Sequence, residues 1–360
     1  MFNKISMNPE RIQKIIRKKK IDALFVSNLK NLRYLTGFTG SSGFALITKD
    51  KGIFFTDFRY KEQSAYEVKD WEIFIEKGKR ANTIRRIFSK LGIKKLGFES
   101  SVSYIIFDLL RKNTTEMVPQ KNLVERLRTI KNEEEIGKIK RAVQRAEEAF
   151  LKVKPFIRPG ASENGISLRL EYQLKKSGCR EIPFNAIVAS GKNSSMPHAK
   201  PTNRKIQGGD FVIIDWGGES DGYFSDMTRT LLMDANDISE KKKIYGIVNS
   251  AREKAIMTAK EGVKAKEIDA AARDFIKQEG YSGFFGHATG HGVGLDIHES
   301  PGISMQSSES IAGSMVFTVE PGIYIPGIGG VRIEDMVTIQ NGSAIILTSL
   351  PTELEIVKKR

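Results

Sequence analysis

Three of the chain's four histidines, His287, His291 and His298, crowd into the glycine-rich stretch 286–299, and His198 is the fourth. Imidazole is the commonest metal-binding side chain and the usual acid or base near neutral pH. His287 and His291 have the i,i+4 spacing of the zinc motif H-E-x-x-H. However, Ala288 stands at the glutamate position, and Gly290, Gly292 and Gly294 oppose a helix. His291 therefore reads as a ligand on extended or looped backbone, with glycines permitting close approach. A polar loop could also collect histidines without a function, so the carboxylates elsewhere decide the matter.

Those carboxylates sit at the ends of apolar runs. Phe211-Val212-Ile213-Ile214 leads into Asp215, and Val316-Phe317-Thr318-Val319 leads into Glu320. A charge at the end of a buried strand needs a partner or a metal. Asp226 lies in Tyr223-Phe224-Ser225-Asp226-Met227-Thr228-Arg229, after the turn-rich 217–222. That spacing predicts a hairpin that brings Asp215 and Asp226 together, where two carboxylates share a proton or hold a cation. Glu334 stands in the alternating, largely apolar context Val331-Arg332-Ile333-Glu334-Asp335-Met336-Val337. Four carboxylates and a neutral imidazole balance two divalent cations. Oxygen-rich ligation favours Mn²⁺ or Co²⁺, with Zn²⁺ and Fe²⁺ as further candidates. Such a pair can acidify a shared water to a hydroxide nucleophile at neutral pH. There is no G-x-S-x-G motif, and Cys179 is the only cysteine. That excludes an internal disulfide and a cysteine-based zinc site and argues against covalent catalysis.

Positioning these residues calls for two bodies. A chain of 360 residues has room for two domains with cores of their own. No apolar run reaches the eighteen or so residues needed to span a bilayer. The first residues lack the apolar core of a signal peptide, so the expected compartment is the cytoplasm, with no membrane partner. The net charge of +15 is uneven: residues 1–130 hold 27 Lys+Arg against 13 Asp+Glu, and residues 131–360 hold 31 against 30. The N-terminal cations are scattered. Their one run, Arg17-Lys18-Lys19-Lys20, ends an expected helix, where cations complement the macrodipole. A solvated surface is expected, with no nucleic-acid partner.

Asn8-Pro9 is expected to open that first helix. Strand patterns at 23–27, 44–48, 52–56, 72–75 and 95–99 alternate with helical ones near 59–68, 80–90 and 103–112, which predicts an α/β sandwich with a mixed sheet. The loop 36–43 lacks the marks of a nucleotide site and reads as a turn. Residues 113–131, polar and containing Pro119, predict a domain boundary near 125. Beyond it, Ile136, Ile139, Val143, Ala146 and Phe150 mark one face of a long helix from Asn132. Ser162 is expected to cap a second helix to about Lys176. Further helices are expected near 239–260 and 266–279, strands at 185–190 and 210–215, and mostly strand and turn after that.

The ordered set Asp215, Asp226, His291, Glu320 and Glu334 resembles the metal-ligand set of the pita-bread metallopeptidases, which include methionine aminopeptidase, aminopeptidase P and prolidase. The flanking stretches carry the likeness: Ile214-Asp215-Trp216-Gly217, Ser225-Asp226-Met227-Thr228-Arg229, His291-Gly292-Val293-Gly294, Val319-Glu320-Pro321-Gly322 and Gly330-Val331-Arg332-Ile333-Glu334-Asp335. The resemblance implies an α/β creatinase/prolidase-like N-terminal domain over 1–125, whose recurrent motif Asn31-Leu32-Arg33-Tyr34-Leu35-Thr36-Gly37-Phe38 matches. It implies an α+β pita-bread catalytic domain over 126–360, a pseudo-symmetric antiparallel sheet backed by helices. Methionine aminopeptidases usually lack the N-terminal domain.

Carried over residue by residue, Asp215 would chelate one ion, His291 and Glu320 the other, with Asp226 and Glu334 bridging. Glu320 would also shuttle a proton. His198 and His298 match two catalytic histidines that contact the substrate or the developing oxyanion. His287 matches a substrate-side position, and Tyr324 and Arg332 match residues that orient the ligands. Phe184 would line a proline pocket. The implied substrates are peptides with an Xaa-Pro N-terminus, and the implied assembly is a homodimer. Prolidases restricted to dipeptides often carry an arginine shortly after the second catalytic histidine. Gly302 takes that place here, which favours an aminopeptidase P-like Xaa-Pro aminopeptidase over an Xaa-Pro dipeptidase (prolidase). A non-catalytic peptide-binding relative would show eroded ligand positions, and all five are intact.

Overall fold

The computed structural model describes residues 10–358, with side chains from Ile12 onward; the expected cap at Asn8-Pro9 lies outside the described residues. The chain divides between Arg128 and Thr129 into two compact units.

In the N-terminal unit, alternation drives the architecture. Along the strand Ala23–Val26, Leu24 and Val26 enter one hydrophobic cluster while Ala23 and Phe25 enter another. Successive side chains point to opposite faces of a strand, so a strand buried on both faces belongs to a sheet covered on both sides. Six strands run in the order Glu72–Ile75, Gly52–Thr56, Phe44–Thr48, Ala23–Val26, Lys95–Glu99, Glu116–Gln120. The middle three are antiparallel neighbours and the outer pairings are parallel, which gives the expected mixed α/β sandwich. The strand Glu116–Gln120 was not anticipated, because Pro119 suggested a break. It lies at the sheet edge, where proline's missing N–H costs no ladder bond.

The C-terminal unit repeats one plan twice. The helices Glu133–Val153 and Glu163–Lys176 precede the antiparallel neighbours Ile187–Ser190, Phe211–Trp216 and Met227–Met233. The helices Ser239–Thr258 and Ala265–Gln278 precede a second antiparallel set containing Gly290–Gly292, Val316–Val319 and Asp335–Gln340. This is the expected pseudo-symmetric, helix-backed antiparallel architecture. The first helix begins at a capping box: the Asn132 side chain accepts from Glu135 N at 2.9 Å, and Glu135 Oε2 accepts from Asn132 N at 2.8 Å. That arrangement satisfies two otherwise unpaired N–H groups. Ser162 caps the second helix as expected.

Trp216, at the end of the strand that carries Asp215, is fully buried. Its ring stacks on Phe150 with centroids 4.5 Å apart, and its indole N–H donates to Ala146 O at 2.9 Å. One helix thus supports the strand end where the first carboxylate emerges. Phe150→Ala should destabilise the C-terminal unit by about 3–5 kcal/mol, read from denaturant unfolding by Trp216 fluorescence in a Trp71→Phe background. A loss below about 1 kcal/mol would show that the stack does not support this strand.

Candidate metal centre

The hairpin expected from the aspartate spacing is present. Phe211–Trp216 pairs antiparallel with Met227–Met233, with Asp215 opposite Thr228, so Asp226 lies one residue beyond the ladder pair Trp216–Met227. In the second half, Val319 pairs with Asp335, which leaves Glu320 and Glu334 facing each other just past the last rung. His291 lies on the neighbouring strand Gly290–Gly292. A Cβ on Gly290 would come within 1.9 Å of Thr318 O, and one on Gly292 within 2.2 Å of Ser300 O. The glycines beside His291 therefore admit neighbouring backbone that any side chain would exclude.

The five side chains converge. His291 Nε2 lies 3.5 Å from Asp226 Oδ2 and 3.4 Å from Glu320 Oε1, and ligand atoms of Asp226, His291 and Glu334 lie within 4.8 Å of one another. His291 Nδ1 lies 3.1 Å from Gly292 O. A carbonyl only accepts, so Nδ1 carries the proton and Nε2 turns its lone pair toward the acids. Asp215 Oδ2 accepts from Arg332 Nη2 at 2.6 Å, and Glu334 Oε2 from Thr228 Oγ1 at 2.7 Å. Asp215 Oδ1, Asp226 Oδ1 and Glu334 Oε1 are buried without a hydrogen-bond partner among the described residues. An unsatisfied buried acceptor costs on the order of 1–3 kcal/mol, and more when charged. Three of them beside an imidazole lone pair form a ligand set of the oxygen-rich kind that suits divalent ions.

The electrostatics agree. Burial, then the Glu334, Asp215 and Glu320 carboxylates, push Asp226 well above the ordinary carboxylate range. Glu334 rises well above it through burial and the charges of Glu320 and Asp215. Burial raises Asp215 against the pull of Arg332. Glu320 is pushed up to about 7, burial and the Asp215 charge outweighing Arg332. Burial and the neighbouring His298 bring His291 down to about 4, so its ring is neutral at physiological pH.

The other anticipated residues surround this cluster. His198, His287, His298, Phe184 and Arg332 line one cavity of about 510 Å³ together with the four acids and His291. The rings of His291 and His298 lie 4.2 Å apart. Tyr324 reaches the site through a relay: its hydroxyl is 2.9 Å from His287 Nε2 and accepts from Arg332 Nη1 at 2.8 Å. Several supporting residues escaped the sequence reading. Thr228 holds Glu334, and Thr318 Oγ1 accepts from His291 N at 3.1 Å and donates to Glu320 at 3.2 Å. Strand alternation after Asp226 places Thr228 on the same face, a signal that was available. Buried Asp269 takes the N–H and hydroxyl of Thr289 at 3.1 and 2.8 Å, and Arg273 donates to Asp269 and to His287 O. No local pattern marks that pair.

Comparison with known proteins gives a consistent picture. A family model described as metallopeptidase family M24 matches residues 137–341, and one described as creatinase/prolidase N-terminal domain matches residues 9–130. A Bacillus subtilis protein named uncharacterized peptidase YqhT is 41% identical, covering 98% of this chain and 100% of its own length. Among solved structures, an Xaa-Pro dipeptidase from Bacillus anthracis superposes with a TM-score of 0.94 at 40% identity, over 97% of this chain and 99% of that one. An X-Pro aminopeptidase from Thermotoga maritima superposes with a TM-score of 0.87 at 36% identity, over the same shares.

The raised carboxyls make a pH prediction. Each keeps its proton to a higher pH than a free carboxyl, and a metal binds only the ionised form. Uptake must therefore expel protons, and affinity must rise with pH. Mn²⁺ or Co²⁺ should bind more tightly at pH 8 than at pH 6, with more protons released per ion at pH 6, below the Glu320 value of about 7. Calorimetric titration in two buffers of different protonation enthalpy measures this. A pH-independent affinity without proton release contradicts the buried acid cluster.

Proposed function

This chain belongs to metallopeptidase family M24, and from that premise we propose that it hydrolyses the peptide bond between an N-terminal residue and a following proline. One observation supports the reading above the others: three unpartnered, buried carboxylate oxygens meet His291 and Glu320 on the wall of a cavity of about 510 Å³. Asp215, Asp226, His291, Glu320 and Glu334 would hold two divalent ions, Mn²⁺ or Co²⁺ first. Bound there, such ions supply the Lewis acidity that polarises a carbonyl and acidifies water.

The chain's own residues do the rest. Glu320, whose Oε1 accepts from Thr318 Oγ1 at 3.2 Å beside His291, would accept and return a proton in the reaction. His298, lowered by burial, is neutral at physiological pH, so its N–H serves as a donor toward an oxygen that gains charge; His198, which lines the same cavity, joins it. Arg332 fixes Asp215 and Tyr324 together, which orients a metal ligand and, through Tyr324, His287. Phe184, Ile187, Pro197 and Pro201 supply apolar wall to the cavity, suited to a proline ring.

Substrate length admits two readings. Gly302 lies across the ladder from His291 with nothing near its Cβ position. No cation stands there to demand a free carboxylate, and this supports an aminopeptidase P-like preference for longer peptides. A different observation supports a dipeptidase. Lys200 lines the same cavity, is exposed, and has no hydrogen bond or ion pair among the described residues. It is a free ammonium placed where the terminal carboxylate of a dipeptide could lie.

With Mn²⁺ or Co²⁺ present, Ala-Pro should be cleaved at least about tenfold faster than Ala-Ala; equal rates would sink the proline reading. On the dipeptidase reading, Lys200→Ala should raise KM for Ala-Pro about tenfold and leave KM for Ala-Pro amide unchanged. An unchanged KM for both returns the preference to longer peptides.

A further inference from the structure

His198 faces the metal-ligand cluster from an irregular strap rather than from a helix or strand, and its ring has no hydrogen bond among the described residues. Nothing attached to the imidazole orients it, so its place is set by the backbone that carries it. That backbone runs from Ser190, at the end of the strand Ile187–Ser190, through the short helical turn Gly191–Ser195 to Thr202.

One side chain holds both ends of this strap. Glu163, the first residue of the helix Glu163–Lys176, is fully buried. Its Oε1 accepts from Ser190 N and Ser190 Oγ, each at 2.7 Å. Its Oε2 accepts from Thr202 N at 3.0 Å and Thr202 Oγ1 at 2.6 Å. Asn193 Nδ2 reaches both oxygens, at 3.1 and 3.0 Å. The backbone adds Glu163 N to Arg204 O at 3.2 Å and Asn164 N to Thr202 O at 2.9 Å. Every group facing the carboxylate is a donor, and no cation touches it directly. The N-terminus of its own helix supplies favourable potential, and Arg204 donates to Ser190 Oγ at 2.6 Å from behind.

We propose that Glu163 is the positioning residue for His198: by clasping Ser190, Asn193 and Thr202 it closes the strap into a loop whose apex holds the imidazole against the metal-ligand cluster. The inference rests on reading His198 as a group that acts in the reaction. A carboxylate is required because an amide would turn an NH₂ toward N–H and O–H donors. The strap has other ties, Ser194 Oγ to Gly330 N at 2.8 Å and Pro197 O to Arg332 Nη1 at 3.2 Å. These lie nearer the site; at the far ends Ser190 also pairs with Val212 in the ladder and Asn164 N donates to Thr202 O, and Glu163 is the side chain that bonds both Ser190 and Thr202.

A double-mutant cycle on the full-length, metal-loaded protein tests the proposal, since residues that act as one unit are not additive. His198→Ala should cost about 100-fold in kcat. Glu163→Gln should cost about tenfold in kcat with KM within about twofold, and in the His198→Ala background less than about twofold. The same tenfold loss in both backgrounds would assign Glu163 to general stability and overturn the proposal. Glu163→Asp, which keeps acceptor-only chemistry, should recover part of the loss and stands in if the glutamine variant does not fold.

A spectroscopic arm is independent of turnover. With only four histidines, the imidazole Cε1–H signals of the zinc-loaded protein can be assigned one by one. Glu163→Gln should shift and broaden the His198 signal and leave that of His291 in place. An unmoved His198 signal would overturn the proposal. If His198→Ala leaves turnover intact, the assignment of His198 to the reaction fails, and this arm still decides whether Glu163 positions it.

Discussion

Four carboxyl groups and one neutral imidazole turned toward one another inside a protein wall are the constraint on which the rest of the C-terminal unit depends. Like charges interact strongly where water is scarce, and here three carboxylate oxygens have no donor to answer them among the described residues. In a metal-free chain such a cluster is neutralised by protons, hence the upward displacement of all four acids. With divalent ions present the same oxygens would become ligands. Packing the site with arginines in front would have relieved the repulsion and removed the function.

The protein instead keeps its cations to the side and behind. Arg332 grips one oxygen of Asp215 and leaves the other bare. Arg229 and Arg252 both bind Asp335, the neighbour of Glu334, and Arg229 also donates to the carbonyls of Thr228, Glu334 and Leu350. These contacts hold the backbone from which Glu334 projects and leave its Oε1 free. The doubled plan of the unit does the larger positioning: one half contributes the Asp215–Asp226 hairpin, the other His291, Glu320 and Glu334. Because each candidate ligand lies in a strand or within one residue of its end, rigid ladders set the geometry and loops close the cavity around it.

How much of this was legible in the sequence follows from the range of the interactions. The convergence of the candidate ligands could be read because apolar runs ending in acids are energetically unreasonable without a partner, as at Asp215 and Glu320, and Glu334 stands in an alternating, largely apolar context. The Asp215–Asp226 hairpin followed from turn residues between two apolar segments, and the N-terminal sandwich from alternating strand and helix patterns. What stayed hidden depends on residues far apart in the chain. Glu163 looks like an ordinary first-turn acid after the cap Ser162, and only the fold brings it to Ser190 and Thr202. Asp269 with Arg273 looks like an exposed i,i+4 pair, yet it is buried against Thr289 and His287 O. Gly302 carried the length argument from the sequence alone; the free Lys200 beside the cavity emerged only in three dimensions.

On this reading the five side chains form one dinuclear site. Its most direct test is the metal content of the purified protein after equilibration with Mn²⁺ or Co²⁺ and removal of free ions, read by elemental analysis beside a Glu334→Ala control. About two ions per chain are expected, with a large loss in the control. One ion or fewer per chain under saturating metal, or a full complement retained without Glu334, would contradict it.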